Sequence, residues 1–191
     1  MNETQLVIDA QAEKPGALGR LFDRWLPVVL GWCKRLGSGR LNAEDAAHDV
    51  FEIVLQRLHS LREPHAFSSW LYGITRRVLA SHRRKAWFRK WLPGAEPEGI
   101  APGPSPLRQT EQSEIAVRVH SALAQLSADH REVLVLCDLE ERADSEVAAM
   151  LGVPKGTVKS RLRRARTHLR TLVPDLAAAP IHRAETGGAV Q

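Results

Sequence analysis

The sequence predicts an all-α protein, organised as two small helical domains joined by a Pro/Gly-rich linker, and three observations carry that expectation. Apolar residues recur at three- and four-residue steps in both halves, the spacing that places them on one face of a helix of about 3.6 residues per turn. No segment alternates apolar and polar residues as a half-buried strand does. Between the halves, Pro93 to Pro106 holds five of the 11 prolines and three glycines, a stretch that continues neither helix nor sheet and reads as an extended tether. A chain of 191 residues has room for one compact domain or two small ones. The expected organisation is a first domain over 15–92, a linker over 93–110, a second domain over 111–173 and a loose tail over 174–191.

The elements follow in order. Leu18, Phe22, Trp25, Val29, Trp32 and Leu36 form the stripe of a first helix, which Pro27 should bend and Gly37 should end. Asn42 is placed to cap a second helix with Ala47, Val50, Phe51, Val54 and Leu58 on its inner face. Pro64 marks the next boundary. A third helix turns Phe67, Trp70, Leu71, Ile74 and Val78 inward and Arg76, Arg77, Arg83, Arg84 and Lys85 mostly outward. In the second half, Ile115, Val119, Leu123 and Leu126 form one stripe, and Ser127 or Asp129 can cap a helix carrying Val133, Leu134 and Leu136. DSEVAAMLGVPKGTVKSRLRRARTHLRTL then reads as a helix-turn-helix: Val147, Ala148 and Leu151, a turn at Gly152, and a longer helix from near Pro154 with Val158, Leu162, Ala165, Leu169 and Leu172 inward.

Charge is segregated along this frame. Lys plus Arg is 27 against 22 acids, a net of +5. Pro64 to Ala95 and Val147 to Pro174 contain no acid and seven Lys/Arg each, which leaves 13 cations against 22 acids, −9, elsewhere. Two concentrated cationic patches imply a polyanionic partner. In the longer helix of the helix-turn-helix, Lys155, Thr157, Lys159, Ser160, Arg161, Arg163 and Arg164 point away from the apolar stripe, where a helix lying in the major groove offers its donors to bases and phosphates. The first basic segment also holds six of the ten aromatics, and rings interleaved with cations suit unpaired nucleic acid, whose exposed bases stack on them. Phe67 and Trp70 read as core, whereas His65, Tyr72 and the Trp87 to Trp91 cluster read as available to a ligand. Glu44, Asp45, Asp49 and Glu52 give the second helix an acidic surface, suited either to the helix dipole or to a basic protein partner.

Other chemistries find little support. Cys33 and Cys137 lie far apart without metal-ligand spacing, so neither a disulfide framework nor a metal site is expected, and no cofactor. The eight histidines form no HExxH pair, and GxxxxGK[ST], GxGxxG and GxSxG are absent, which argues against an enzyme. The longest uncharged apolar stretch, Trp25 to Cys33, is nine residues, about half of the ~20 that a membrane span needs, and the N-terminus does not read as a signal peptide. A cytoplasmic protein without membrane insertion is expected.

With these residues in view, the chain resembles the extracytoplasmic-function group of bacterial sigma-70 family RNA polymerase sigma factors, over about 18–92 and 114–173. AEDAAHDVFEIVLQRL looks like the family's core-polymerase-binding helix, FSSWLYGITRRVLASHRRK like its promoter-melting helix, and LGVPKGTVKSRLRRARTHLR like its minus-thirty-five-reading helix-turn-helix. The resemblance implies that Glu44, Asp45 and Asp49 face the clamp of core RNA polymerase. It also implies that Arg76, Arg77, Arg84 and Lys85 hold the upstream edge of the minus-ten element, and that Arg62, His65 and Phe67 shape a pocket for a flipped base. The linker would thread toward the polymerase active centre, and an anti-sigma factor would mask the same surfaces. Arg77 stands where the family commonly has Asn, and Ser81 where Asp is frequent. Glu141 and Arg142 replace a common glycine and an apolar residue, so looser packing of the second domain is expected. Ala143 replaces a capping Ser or Thr, so Asp144 is expected to cap. The rival reading is a stand-alone helix-turn-helix regulator of duplex DNA.

Overall fold

A computed structural model of the chain describes residues 2–37, 41–89 and 111–174. The linker beyond Arg89, with Trp91, and the tail beyond Pro174 lie outside the described residues, as does the side chain of Ile115. Among the described residues there is no strand. The helices are α1 (Glu3–Gln11), α2 (Ala17–Leu36), α3 (Ala43–Arg57), α4 (Phe67–Arg89), α5 (Glu111–Gln125), α6 (Ala128–Leu134), α7 (Asp144–Leu151) and α8 (Lys155–Leu172). Short 3₁₀ turns at Leu58–Ser60 and Pro64–Ala66 join α3 to α4, and a π turn at Val135–Leu139 follows α6.

Local chemistry explains most ends. The Asn42 side chain accepts the Glu44 N–H at 3.0 Å, satisfying a donor that the first turn of α3 leaves unpaired. Ser127, not Asp129, caps α6 by accepting from the His130 N–H. At α7 the expected Asp144 cap is not what forms. Ala143 is the capping position, Asp144 lies inside the helix, and Glu146 turns back to accept the Ala143 N–H at 3.0 Å. Two glycines act for opposite reasons. Gly152 ends α7 at φ 66, a conformation that L side chains resist, while Gly37 has an ordinary φ of −64. At Gly37 a Cβ would sit 2.4 Å from the Cys33 carbonyl, so the demand is for space. Pro27 does not interrupt α2, because it sits on the exposed side, where solvent reaches the backbone acceptor that it leaves unpaired.

The core of the first half is an aromatic chain. Trp25 packs against Trp32 and edge-on to Phe67, Trp32 meets Tyr72 edge-on with centroids 5.1 Å apart, and Phe22 of α2 touches Phe51 of α3 at 4.6 Å. Tyr72, expected to be available to a ligand, is fully buried, and burial pushes its phenol well above the ordinary range. Its position, one residue from Leu71, falls within the inner face of α4 once α2 and the second half close over it. The aromatic pattern of α4 thus serves packing first.

α1 is not among the elements expected from the sequence, although Asn2 stands at a capping position and Leu6 and Ala10 are four residues apart. Asn2 caps it, and Leu6, Val7 and Ala10 bury a short face against α2. The halves are also not merely tethered, since a single core of buried residues runs from Leu6 to Ala165. Four successive residues, Val133 to Leu136, are buried because their segment is covered on several sides. Arg131 donates to the Leu36 carbonyl at 3.2 Å and, from its other terminal nitrogen, to Ala124 at 2.9 Å and Leu126 at 3.0 Å. Its cation thus lies at the C-terminal end of the α2 dipole, a favourable place for positive charge. Arg142 donates to Ser68 at 3.1 Å and lies 5.9 Å over the Trp32 ring. The Arg142 guanidinium thereby joins the two halves.

Candidate nucleic-acid interface

The basic surface of the second half is built by α8. Val158, Leu162 and Ala165 are buried against α6 and α7, which turns the intervening residues outward. Lys155, Lys159, Arg163 and Arg164 are exposed, whereas Thr157, Ser160 and Arg161 are half-buried. Ser160 donates to the Thr157 carbonyl at 3.0 Å, and Arg161 pairs with Asp129 of α6 at 2.6 Å. Arg166, on the same helix, is drawn away from solvent by Asp138 at 2.9 Å, and that hydrogen bond holds its guanidinium above its usual range. The seven cations of α8 therefore divide into five exposed ones, Lys155, Lys159, Arg163, Arg164 and Arg170, and two arginines committed to acids of the same half.

In the first half the basic face is divided as well. Arg77, Arg84 and Lys85 are exposed on α4, with Arg77 donating to the Gly73 carbonyl. Arg76, expected outward, is turned toward the second half and donates to Glu132 of α6 at 2.9 Å. Glu132 is almost fully buried, and burial, offset in part by Arg76, raises its carboxyl above the ordinary range. In the turn before α4, Arg62 and His65 are exposed, and His65 has Glu63 at 3.6 Å. Phe67 has no exposed surface and packs on Trp25 and Trp70, so it fixes the end of that turn and is not placed to touch a base. Trp87 and Phe88 are exposed on the last turns of α4, edge-on to one another at 5.2 Å.

The acidic surface belongs to α3. Glu44 and Asp45 are exposed, and half-buried Asp49 meets His82 of α4 at 2.8 Å. A groove of about 430 Å³ runs between α3 and α4 past Asp49, Glu52, Ile53, Arg57, Ile74 and Arg77. Leu55 is an apolar residue that sequence reasoning missed, 52% exposed on the face that carries Asp45, His48 and Glu52. A signal for it exists, since positions 45, 48, 52 and 55 step by three, four and three. An apolar knob set among acids suits a protein surface better than a phosphate backbone. Among the described residues, no group of three His, Cys, Asp or Glu is gathered as metal ligands, and no helix is long and apolar enough to cross a membrane.

Comparison with known proteins adds the family. Residues 21–89 match the family described as "Sigma-70 region 2", and residues 116–169 match "Sigma-70, region 4". The chain is 30% identical over 161 residues to ECF RNA polymerase sigma factor RpoE of Cereibacter sphaeroides, covering 81% of this chain and 84% of that protein. It is 28% identical to ECF RNA polymerase sigma factor SigL of Mycobacterium tuberculosis, covering 89% of this chain and 96% of that one. It is also 33% identical to ECF RNA polymerase sigma factor SigE of Mycolicibacterium smegmatis, covering 71% of this chain but only about half (53%) of that longer protein. Among solved structures, the sigma factor RpoE in complex with the anti-sigma factor NepR from Bartonella quintana superposes with a TM-score of 0.67 at 26% identity, covering 84% of this chain and 98% of that one. CnrH in complex with the cytosolic domain of CnrY gives 0.66 at 25% identity, covering 90% and 97%.

Proposed function

Because the chain belongs to the extracytoplasmic-function group of the sigma-70 family, we propose that it is a transcription initiation factor, which binds core RNA polymerase, directs it to promoters and helps melt them without covalent chemistry. The observation that carries this reading is the separation of surfaces: a cationic α8 for duplex, a cationic α4 with its preceding loop for opened DNA, and an acidic α3 bearing Leu55. A regulator that only reads duplex has no use for the last two.

On this reading, α8 lies in the major groove at the minus-thirty-five element, with Lys155, Lys159, Arg163 and Arg164 as its free donors and Thr157, Ser160 and Arg161 nearer the base edges. Arg77, Arg84 and Lys85 track the backbone at the upstream edge of the minus-ten element, while Arg62 and His65 border the flipped base. Extracting a base from the stack costs a few kcal/mol, which stacking and hydrogen bonds there must offset. Asp45, Asp49 and Leu55 meet a basic helical surface of the polymerase clamp. Arg76 joins the minus-ten contacts only after leaving Glu132, so promoter engagement requires the halves to separate. An anti-sigma factor that held the halves together would silence the protein, and the solved sigma factor RpoE was captured with the anti-sigma factor NepR.

The test is run-off transcription from a genomic promoter library by purified core enzyme, with and without the folded chain. Chain-dependent transcripts are expected, and none at all would sink the reading in favour of a stand-alone regulator. Asp49→Ala and Leu55→Ala should each weaken binding to core by about fivefold to tenfold without changing which promoters are chosen. An altered promoter preference with unchanged core affinity would overturn the assignment of α3.

A further inference from the structure

The five residues Arg62 to Ala66, which precede α4, are the segment assigned above to the flipped base, and the inference that follows rests on that assignment. The downstream end of the segment is anchored by Phe67, which is fully buried between Trp25 and Trp70. The upstream end has no such ring. It leaves a 3₁₀ turn in which the Leu61 N–H returns to the Leu58 carbonyl at 3.1 Å, and both Leu58 and Leu61 are buried. From the other side, the amide nitrogen of Gln11 donates to the Leu58 carbonyl at 2.9 Å and to the Leu61 carbonyl at 2.7 Å. A carboxamide nitrogen has two hydrogens, and here each has its own acceptor.

Gln11 is well held for this task. It is the last residue of α1, whose Leu6, Val7 and Ala10 are in the core. The chain after it is drawn back by the Lys14 N–H to the Asp9 carbonyl at 3.0 Å and by the Lys14 ammonium to the Asp9 carboxylate at 2.8 Å. The two hydrogen bonds therefore tie the start of the loop to a fixed point 47 and 50 residues away in sequence. Gln11 is only half-buried, so the two carbonyls can turn to solvent when the amide is removed, and the loop start is freed without exposing a core side chain.

We propose that Gln11 is a positioning residue for base selection: the end of α1 sets the register of the Arg62–Ala66 loop, and thereby how sharply the protein discriminates at the flipped position of the minus-ten element. A recognition pocket that is loose by a fraction of an ångström still binds but discriminates poorly. Gln11 touches no nucleic acid in this scheme, and its effect passes entirely through the backbone of the loop.

The experiment uses full-length chain with core polymerase, and promoters found by the wild-type holoenzyme with each minus-ten position varied through the four bases. Gln11→Met, which keeps the length of the side chain and loses both donors, should reduce the preference at one or two positions by about fivefold to tenfold, with core affinity and dependence on the minus-thirty-five element unchanged. Gln11→Arg, which restores two N–H donors, should recover most of the preference. A uniform loss of transcription over all minus-ten sequences, or an unchanged preference, would overturn the proposal. Arg62→Ala and His65→Ala in the same assay separate the two ways of failing. If they shift the preference and Gln11→Met does not, Gln11 has no positioning role. If neither they nor Gln11→Met shifts it, the loop itself has been wrongly assigned. Should Gln11→Met prove unfolded by circular dichroism, Gln11→Ala, which keeps α1 helix-forming, takes its place under the same criteria.

Discussion

Glu141 holds a backbone φ of 53, in the left-handed region where a side chain crowds the neighbouring carbonyl. The turn must deliver the Arg142 N–H to the Leu136 carbonyl at 3.0 Å, which fixes this backbone conformation at a position that glycine would occupy without strain. Glu141→Gly should stabilise the chain by about 0.5 to 1 kcal/mol, read as a raised urea midpoint with unchanged slope; a lower midpoint would show that the strain is absent. Glu132 is under a different stress. Its carboxyl is raised above 4.5 by burial, so the folded chain holds that proton more tightly than the unfolded chain does. The contribution of Glu132 to stability is thus greatest below the ordinary carboxyl range and is lost as pH rises through its raised value. Glu132→Gln, neutral at every pH and still able to accept from Arg76, should therefore flatten this part of the pH dependence while leaving neutral-pH stability within about 1 kcal/mol. Matched urea titrations of the two proteins at acid and neutral pH would reveal parallel curves if Glu132 were not the group responsible.

Among the elements, those governed by local chemistry could be read from sequence and those governed by distant partners could not. Asn42 capping α3, Gly152 ending α7, and Val158, Leu162 and Ala165 turning the rest of α8 outward all depend on neighbours within a few positions. The fate of Tyr72 and Arg76 depends on which helices close over α4, and the role of Gln11 depends on carbonyls some 50 residues away. Within α8 the same distinction separates one basic residue from another. Lys159→Ala or Arg163→Ala should weaken minus-thirty-five binding, and removing a cation that neutralises one phosphate should reduce the log-log salt slope by ~0.9. Arg161 must first exchange Asp129 for DNA. Asp129→Ala should accordingly raise affinity for a minus-thirty-five duplex by about fivefold or less, the range of one partly exposed ion pair. A fall in affinity in fluorescence anisotropy would mean that Asp129 instead holds Arg161 in its reading position.

At the scale of the whole molecule, α6 is a seven-residue helix that holds one basic side chain from each of the basic helices α4 and α8, Arg76 through Glu132 and Arg161 through Asp129. The contact between halves is incompletely satisfied: the second oxygen of Glu132 and the Nε of Arg131 are buried without a hydrogen bond to protein. Such a network costs more to bury than a complete one, so it favours a closed form that can be opened. Arg131→Met combined with Arg142→Ala should shift the chain toward separated halves, seen as a larger radius of gyration by small-angle scattering; an unchanged radius would place the hold between halves in the apolar contacts alone. All five tryptophans lie at or before residue 91, and the C-terminal half has none. Trp32 is fully buried with the Arg142 guanidinium over its ring, so the fluorescence of the purified chain carries its own optical record of closure. Water reaching Trp32 would shift its emission to the red, with no dye attached and no cysteine introduced.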